Sequence, residues 1–297
     1  MEIKQFKLLS IPQKKELYNF IKNKDLNYSE TYTEMVKMYE SDIFTYGDNI
    51  FILFDNGQIK GSIAVITKEI RFKGEVYATD IYIEKEDSET TFRLLIKKMV
   101  EYCHICYVKT MKIGIRANET YLIPYINKLK FDHIYDAVVM KYRKDKNIIL
   151  KINDVELSPL RISNSNEYIN IHNDAFRDSP NGASIDEIEV KDYIVQYANN
   201  EDLIGICSLS KKECGIYELS IHENIGWVDT LGIIPAYQNK GLGKKLLENC
   251  IKKLFDKNLD EIRLLVITSN ENAFTMYKKT GFEEDKVFSY WFEKNIY

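Results

Sequence analysis

A chain of 297 residues, 45% hydrophobic and 29% charged, is long enough for two domains and too apolar to be disordered throughout. Its 41 basic and 45 acidic side chains leave a formal charge of −4, which argues against a nucleic-acid-binding surface. No apolar run reaches the roughly 18 residues of a membrane-spanning helix, so no membrane partner is expected.

The opening Met1–Phe6 lacks a long apolar stretch with a small-residue cleavage site, so no secretory leader is expected and a cytoplasmic location is. The five cysteines, at 103, 106, 207, 214 and 250, are odd in number and scattered, which suits free thiols in a reducing compartment. Cys103-His104-Ile105-Cys106 has no second pair downstream and falls within a predicted helix. It is read as a pair of helix cysteines, and no metal site is expected.

Helices are expected near Gln13–Ile21 and Ser29–Met38. Strands Ile50–Phe54 and Ile59–Ile66 then flank Asp55-Asn56-Gly57, a hairpin turn whose residues tolerate positive φ. A strand Val76–Ile83, a helix Thr90–Cys103, a strand Met111–Ile115, a helix Tyr121–Leu129 and a last strand Ala137–Tyr142 follow. A polar stretch, Arg143–Asn147 with Asn153-Asp154 beyond it, marks a boundary between domains 1–148 and 149–297.

The second half repeats the order. Helices are expected over Glu167–Phe176 and Ile185–Tyr197, and strands over Leu203–Leu209, Gly215–Ile221 and Trp227–Ile234. A helix from Gly241 to Phe255 carries Leu242, Leu246, Leu247, Cys250, Ile251, Leu254 and Phe255 at a 3.6-residue period. A strand Ile262–Ile267, a helix Glu271–Lys279 and a strand Val287–Phe292 complete it. Leu94-Leu95 and Leu246-Leu247, Asn118 and Asn270, and Tyr125 and Tyr277 all lie 152 apart, while Asp80 and Asp229 lie 149 apart. Duplication explains this agreement better than chance does.

The chemistry concentrates where the strand ending Leu231-Gly232-Ile233-Ile234-Pro235 crosses to the helix through Gln238-Asn239-Lys240-Gly241-Leu242-Gly243-Lys244-Lys245. A helix start offers free N–H groups and the positive end of the dipole, and glycines let a phosphate approach them. Lys240, Lys244 and Lys245 add positive charge. The P-loop pattern is absent, and Leu246 stands where a dinucleotide fold needs its third glycine. The residues read as a pyrophosphate cradle, with a tight strand-to-helix corner as the plainer alternative.

Gln238-x-x-Gly241-x-Gly243 after this strand resembles motif A of the GNAT superfamily of acyl-CoA-dependent N-acyltransferases. Asn270-Glu271-Asn272-Ala273-Phe274-Thr275-Met276-Tyr277-Lys278-Lys279-Thr280-Gly281-Phe282 resembles the family's motif B. The resemblance covers about residues 155–297 through its motifs and about 1–145 only through element order. It implies an α/β (α+β) fold of two tandem GNAT-like domains, each a mixed, largely antiparallel sheet flanked by helices.

It further implies acetyl-CoA as co-substrate, its pantetheine arm along Leu231, Gly232 and Ile233 and its pyrophosphate on Gln238, Asn239, Lys240, Gly241, Leu242, Gly243 and Lys244. Asn270 and Ala273 would complete that site, Asn270 doubling as a helix N-cap. Tyr277 matches the family's general acid, and Asp229 and Glu218 are the carboxylates from which a general base would come. Ala175–Gly182 falls where the acceptor-binding loop is usual. Isolated His172 and His222 read as surface or loop residues. The reaction expected is direct transfer of an acetyl group to a primary amine of a small molecule or peptide, by a monomer or homodimer. The alternatives are a non-catalytic acyl-CoA sensor or regulatory module, and a nucleotide-binding protein.

In the first half, Glu86, Glu89 and Thr91 stand where the second has Gln238, Gly241 and Gly243. The acidic turn Glu84–Glu89 would repel a pyrophosphate, and Pro124 would interrupt the motif B helix. That half is expected to keep the fold without binding CoA.

Overall fold

The computed structural model describes residues 1–25, 28–144, 154–180 and 182–296. The boundary expected at 148/149, most of the polar stretch before it and Asn181 of the expected acceptor loop lie outside these residues. The described chain divides into two units, Met1–Asp136 with Phe288–Tyr297, and Ala137–Val287.

The first unit carries helices α1 (Ile11–Lys24) and α2 (Tyr32–Tyr39) ahead of its central strands. Both start on capping boxes: Ser10 with Gln13, and Thr31 with Glu34. Strand β1 (Glu2–Gln5) pairs with β2 (Ile50–Asp55), which forms a hairpin with β3 (Gln58–Ile66). Asn56 at φ +49° and Gly57 at φ +78° make the turn, as their residue types require. A short helix α3 (Ile70–Lys73), strand β4 (Glu75–Ile83), helix α4 (Ser88–Ile105), strand β5 (Thr110–Arg116) and helix α5 (Ile123–Lys128) follow. Pro124 sits in the first turn of α5, and a 3₁₀ turn over Ala117–Leu122 replaces the start of the longer helix the sequence predicts. Strand β2 is buried on both faces. Phe51 and Leu53 meet Leu95, Ile96 and Met99 of α4, whereas Ile50, Ile52 and Phe54 meet Leu17, Ile21, Met35 and Tyr39 of α1 and α2.

The second unit begins with part of β6 (Asp132–Arg143), followed by β7 (Val155–Pro159), α6 (Ser165–Phe176) and α7 (Glu187–Gln196). Strands β8 (Ile204–Leu209), β9 (Lys212–His222) and β10 (Ile225–Ile233) form an antiparallel run. Helix α8 (Leu242–Phe255), strand β11 (Glu261–Ile267), helix α9 (Glu271–Thr280) and β12 (Glu283–Asn295) complete the chain. Leu246, Leu247, Cys250, Ile251 and Leu254 of α8 are fully buried against the sheet. Each leucine or isoleucine so buried contributes about 1.5–3 kcal/mol.

Strand pairing within each unit is mixed and mostly antiparallel, the parallel pairs being β4–β5 in the first and β10–β11 in the second. The closing strands are exchanged between the two halves of the sequence. Ser289–Asn295 of β12 pair with β5 in the first unit, and Ala137–Arg143 of β6 pair with β11 in the second. The last strand of each half in sequence thus serves the other unit. Pairing register, which strand sequence alone leaves open, decides the partner. The unit limits fall at 136/137 and 287/288.

Candidate active site

The site is built on β10. Its antiparallel register to β9 shifts between Val228 and Thr230, leaving Asp229 as the extra residue of a bulge. Its parallel pairing to β11 runs from Gly226–Ile262 to Val228–Leu264 and goes no further among the described residues. Past Asp229 the two strands part. Thr230–Ile233 keep β9 on one side, and their other side has no β11 pairing among the described residues. Gly232 lies against the end of α6, where an added Cβ would come within 2.9 Å of the Phe176 ring.

The chain leaving β10 turns through a 3₁₀ segment, Pro235–Tyr237, and enters α8. Gln238 Nε2 donates to the Ile233 carbonyl at 2.8 Å and Lys240 Nζ to the Ala236 carbonyl at 2.8 Å, fixing the loop from within. Asn239 has φ +59°. Gly241 is the N-cap at φ +75°, with no side-chain cap and nothing within 4 Å of the position a Cβ would take. The first N–H groups of α8 have no intrahelical acceptor, so this open, uncapped start can take an anion. A Cβ on Gly243 would sit 3.3 Å from Met276 Sδ, so α8 and α9 approach closely here. Lys244 reaches Glu248 at 3.8 Å, and Lys245 is held by Asp154 at 2.6 Å.

Tyr277 projects from α9 and is buried, with the ring of Phe282 5.9 Å away. Burial, with a smaller contribution from Cys250, pushes its hydroxyl up to about 12, so the phenol keeps its proton throughout the neutral range. Asn270 caps α9: its Oδ1 accepts the Ala273 N–H at 3.2 Å.

The two carboxylates sit on adjacent strands. Glu218 is half-buried; Tyr197 Oη donates to its Oε1 and Thr230 Oγ1 to its Oε2, each at 3.1 Å. Burial raises its carboxyl above the ordinary range, the Tyr197 hydrogen bond opposes that, and the charge of Asp229 raises it further. Asp229 stands exposed at the bulge. Desolvation raises its carboxyl, and the neighbouring Ser220 hydroxyl and His222 oppose that. Tyr197 and Thr230 are not legible as site residues, because their link to Glu218 joins a helix end and a neighbouring strand. His172 is not a surface residue: it is buried on α6 with its ring 4.9 Å from Phe176. His222 is exposed.

The Acetyltransferase (GNAT) family profile matches residues 162–282, the stretch that holds the bulge, the cradle and Tyr277. Residues 162–282 form a GNAT acetyltransferase family domain. Over 72 residues it is 42% identical to the mycothiol acetyltransferase of Renibacterium salmoninarum, covering 23% of this chain and 21% of that protein. Over 68 residues it is 34% identical to an N-alpha-acetyltransferase of Sulfurisphaera tokodaii, covering 23% of this chain and 41% of that one. These matches span only about a fifth to two fifths of the relatives' length. In fold, the likeness extends to the whole chain. A GCN5-related N-acetyltransferase from Sphaerobacter thermophilus superposes with a TM-score of 0.70 at 13% identity, over 99% of this chain and 95% of that one. A tandem GNAT protein from the clavulanic acid biosynthesis pathway gives 0.65 at 8% identity, over 100% and 98%.

The first unit repeats the element order of the second without its glycine-rich helix start. The β3–β4 register shifts between Ser62 and Ala64, and β4–β5 pairing ends at Ala78–Ile113, so this unit has its own bulge and parting strands. At the helix start Asp87 is the N-cap at φ +54°, beside Glu84, Glu86 and Glu89. Glu84 is paired with Lys24 at 2.8 Å and Glu89 with Lys128 at 2.7 Å. Thr91, in the place of Gly243, packs its methyl where a Cβ on Gly61 would lie 2.7 Å away. Cys103 is buried on α4 with Cys106 at the helix end, and no cluster of metal-ligating side chains occurs among the described residues.

Proposed function

We propose that the second unit transfers an acetyl group from acetyl-CoA to a primary amine of a small molecule or peptide. The observation that carries the reading is the parting of β10 from β11 at the Asp229 bulge, which opens toward the uncapped α8 start. Acetyl-CoA supplies an activated thioester carbonyl when bound. Leu231, Gly232 and Ile233 would hold its pantetheine arm by backbone groups. The amides over Gln238–Lys244 would take its pyrophosphate, and Asn270 and Ala273 would border it. The residues fit: Gly241 leaves open space in front of amides that no side chain caps.

The amine arrives as an ammonium, because its ordinary pKa is about 10.4. Glu218 and Asp229 present negative charge to attract it. Glu218, oriented by Tyr197 and Thr230, takes the proton directly or through water, with Asp229 tuning it. Tyr277 donates a hydrogen bond toward the departing sulfur. With its hydroxyl pushed up to about 12 against about 8.5 for a thiol, it stabilises the thiolate more readily than it protonates it. The proton leaving the amine nitrogen supplies the thiol. Cys250 is fully buried with its thiol pushed up to about 12, which favours direct transfer over an acyl-cysteine intermediate.

A panel of amines and free-N-terminus peptides, followed by thiol release from acetyl-CoA, tests the reading. Tyr277→Phe should lower kcat by roughly 10²-fold or more with acetyl-CoA affinity retained. Binding of acetyl-CoA with no turnover on any amine would favour a sensor, and tighter binding of ATP than of acetyl-CoA would overturn the reading.

A further inference from the structure

The first unit has lost the cradle but kept an enclosed space. A cavity of about 220 Å³ lies where β4 and β5 part, walled in part by Ile81 and Trp291. That is the volume of about seven waters at ~30 Å³ each, too small for an acyl-CoA and ample for a metabolite of amino-acid size. Three charged residues converge on it: Asp80, Arg116 and Glu119.

Each has a feature that packing alone leaves unexplained. Asp80, the counterpart of Asp229, holds φ +48° within a strand, a strained conformation for a residue with a side chain. Its partner there is Tyr39 Oη, at a long 3.5 Å. Glu119 has a buried Oε2 with no hydrogen-bond partner among the described residues. Leaving such an oxygen unsatisfied is costly. Arg116 stands exposed at the rim, its guanidinium over the Phe288 ring at 4.2 Å from the centroid. Two carboxylates and one guanidinium, set in apolar walls, form one anion-seeking and one cation-seeking point a short distance apart.

We propose that this cavity binds a small zwitterion, an α-amino acid with an apolar side chain. Its carboxylate pairs with Arg116, its ammonium takes the carboxylates of Asp80 and Glu119, and its side chain lies against Ile81 and Trp291. The first unit is then a ligand-binding domain that reuses the slot in which its twin would hold pantetheine. The site is independent of acetyl transfer in the second unit.

Isothermal titration of the full chain with L-leucine, L-methionine and L-phenylalanine tests this. Isoamylamine and 4-methylpentanoate serve as analogues lacking one charge each. At least one amino acid should bind at one site per chain and both analogues should bind more weakly. Arg116→Met and Glu119→Gln should each weaken binding about 10- to 100-fold, the value of a charged hydrogen bond. Both positions lie outside the transfer machinery, so acetyl transfer should persist in these variants. Amino-acid binding should also persist in Gly241→Glu, so failure of the acetyl-CoA reading leaves this result readable. No binding by any of the three amino acids, binding unchanged in both variants, or isoamylamine binding as tightly as leucine would overturn the assignment.

Discussion

Replacing Gly241 separates what the glycine does for the fold from what it does for the ligand. Its φ of +75° penalises any side chain by about 1–2 kcal/mol, whatever the chemistry. Nothing lies within 4 Å of the new Cβ, so steric cost inside the fold adds little. Gly241→Ala and Gly241→Glu should therefore lose similar stability, about 2–8 °C in melting temperature for a unit of this size. Binding should divide them. A carboxylate about 4–6 Å from a phosphate, at an effective dielectric between water and a protein surface, costs on the order of 1–4 kcal/mol. Acetyl-CoA affinity should thus fall about 5- to 1000-fold further for Glu than for Ala. Paired thermal melts and equilibrium binding on both variants read the two effects separately. Equal acetyl-CoA affinity for Ala and Glu would refute the assignment of the α8 start as the pyrophosphate site.

The carboxylate pair makes a pH prediction. Because the Asp229 charge holds the Glu218 carboxyl up, Asp229→Asn should move the acidic limb of kcat/KM to lower pH, and Tyr197→Phe should move it higher; an unmoved limb in both would remove Glu218 as the base. A carboxyl raised by folding contributes stability below its unfolded pKa and loses it as pH rises through the folded one. Glu218→Gln should therefore gain melting temperature relative to the unaltered protein between the acidic carboxylate range and neutrality, and a pH-independent difference would contradict the burial argument. Leu246→Ala, at a fully buried site on α8, should cost about 2.7–5 kcal/mol in denaturant unfolding, and a loss under about 1 kcal/mol would mean the α8 face is not core.

What the sequence yields follows from how local each signal is. The apolar period of α8, the Asn56-Gly57 turn, the Asn270 cap and the Pro124 break are set by residues close in the chain, and each lies where its chemistry predicts. Strands β1 and β7 are short and carry little apolar alternation, so they escape pattern reading. The exchange of Ala137–Arg143 and Ser289–Asn295 is invisible for a different reason. Both are apolar alternating strands, and a strand's own residues do not name its neighbour. The candidate site divides the same way. The glycine-rich turn and Tyr277 are motif residues. The Tyr197–Glu218–Thr230 network and the Asp80–Arg116–Glu119 cavity join residues that only the fold brings together.

On the function proposed for the second unit, one half of the chain holds acyl-CoA and the other does not. Calorimetric titration of acetyl-CoA into the full chain reads it directly. One site per chain is the expected result. Two sites would mean that the acidic Glu84–Glu89 turn tolerates a pyrophosphate after all, and none, in a folded protein, would remove the cradle from the second unit as well.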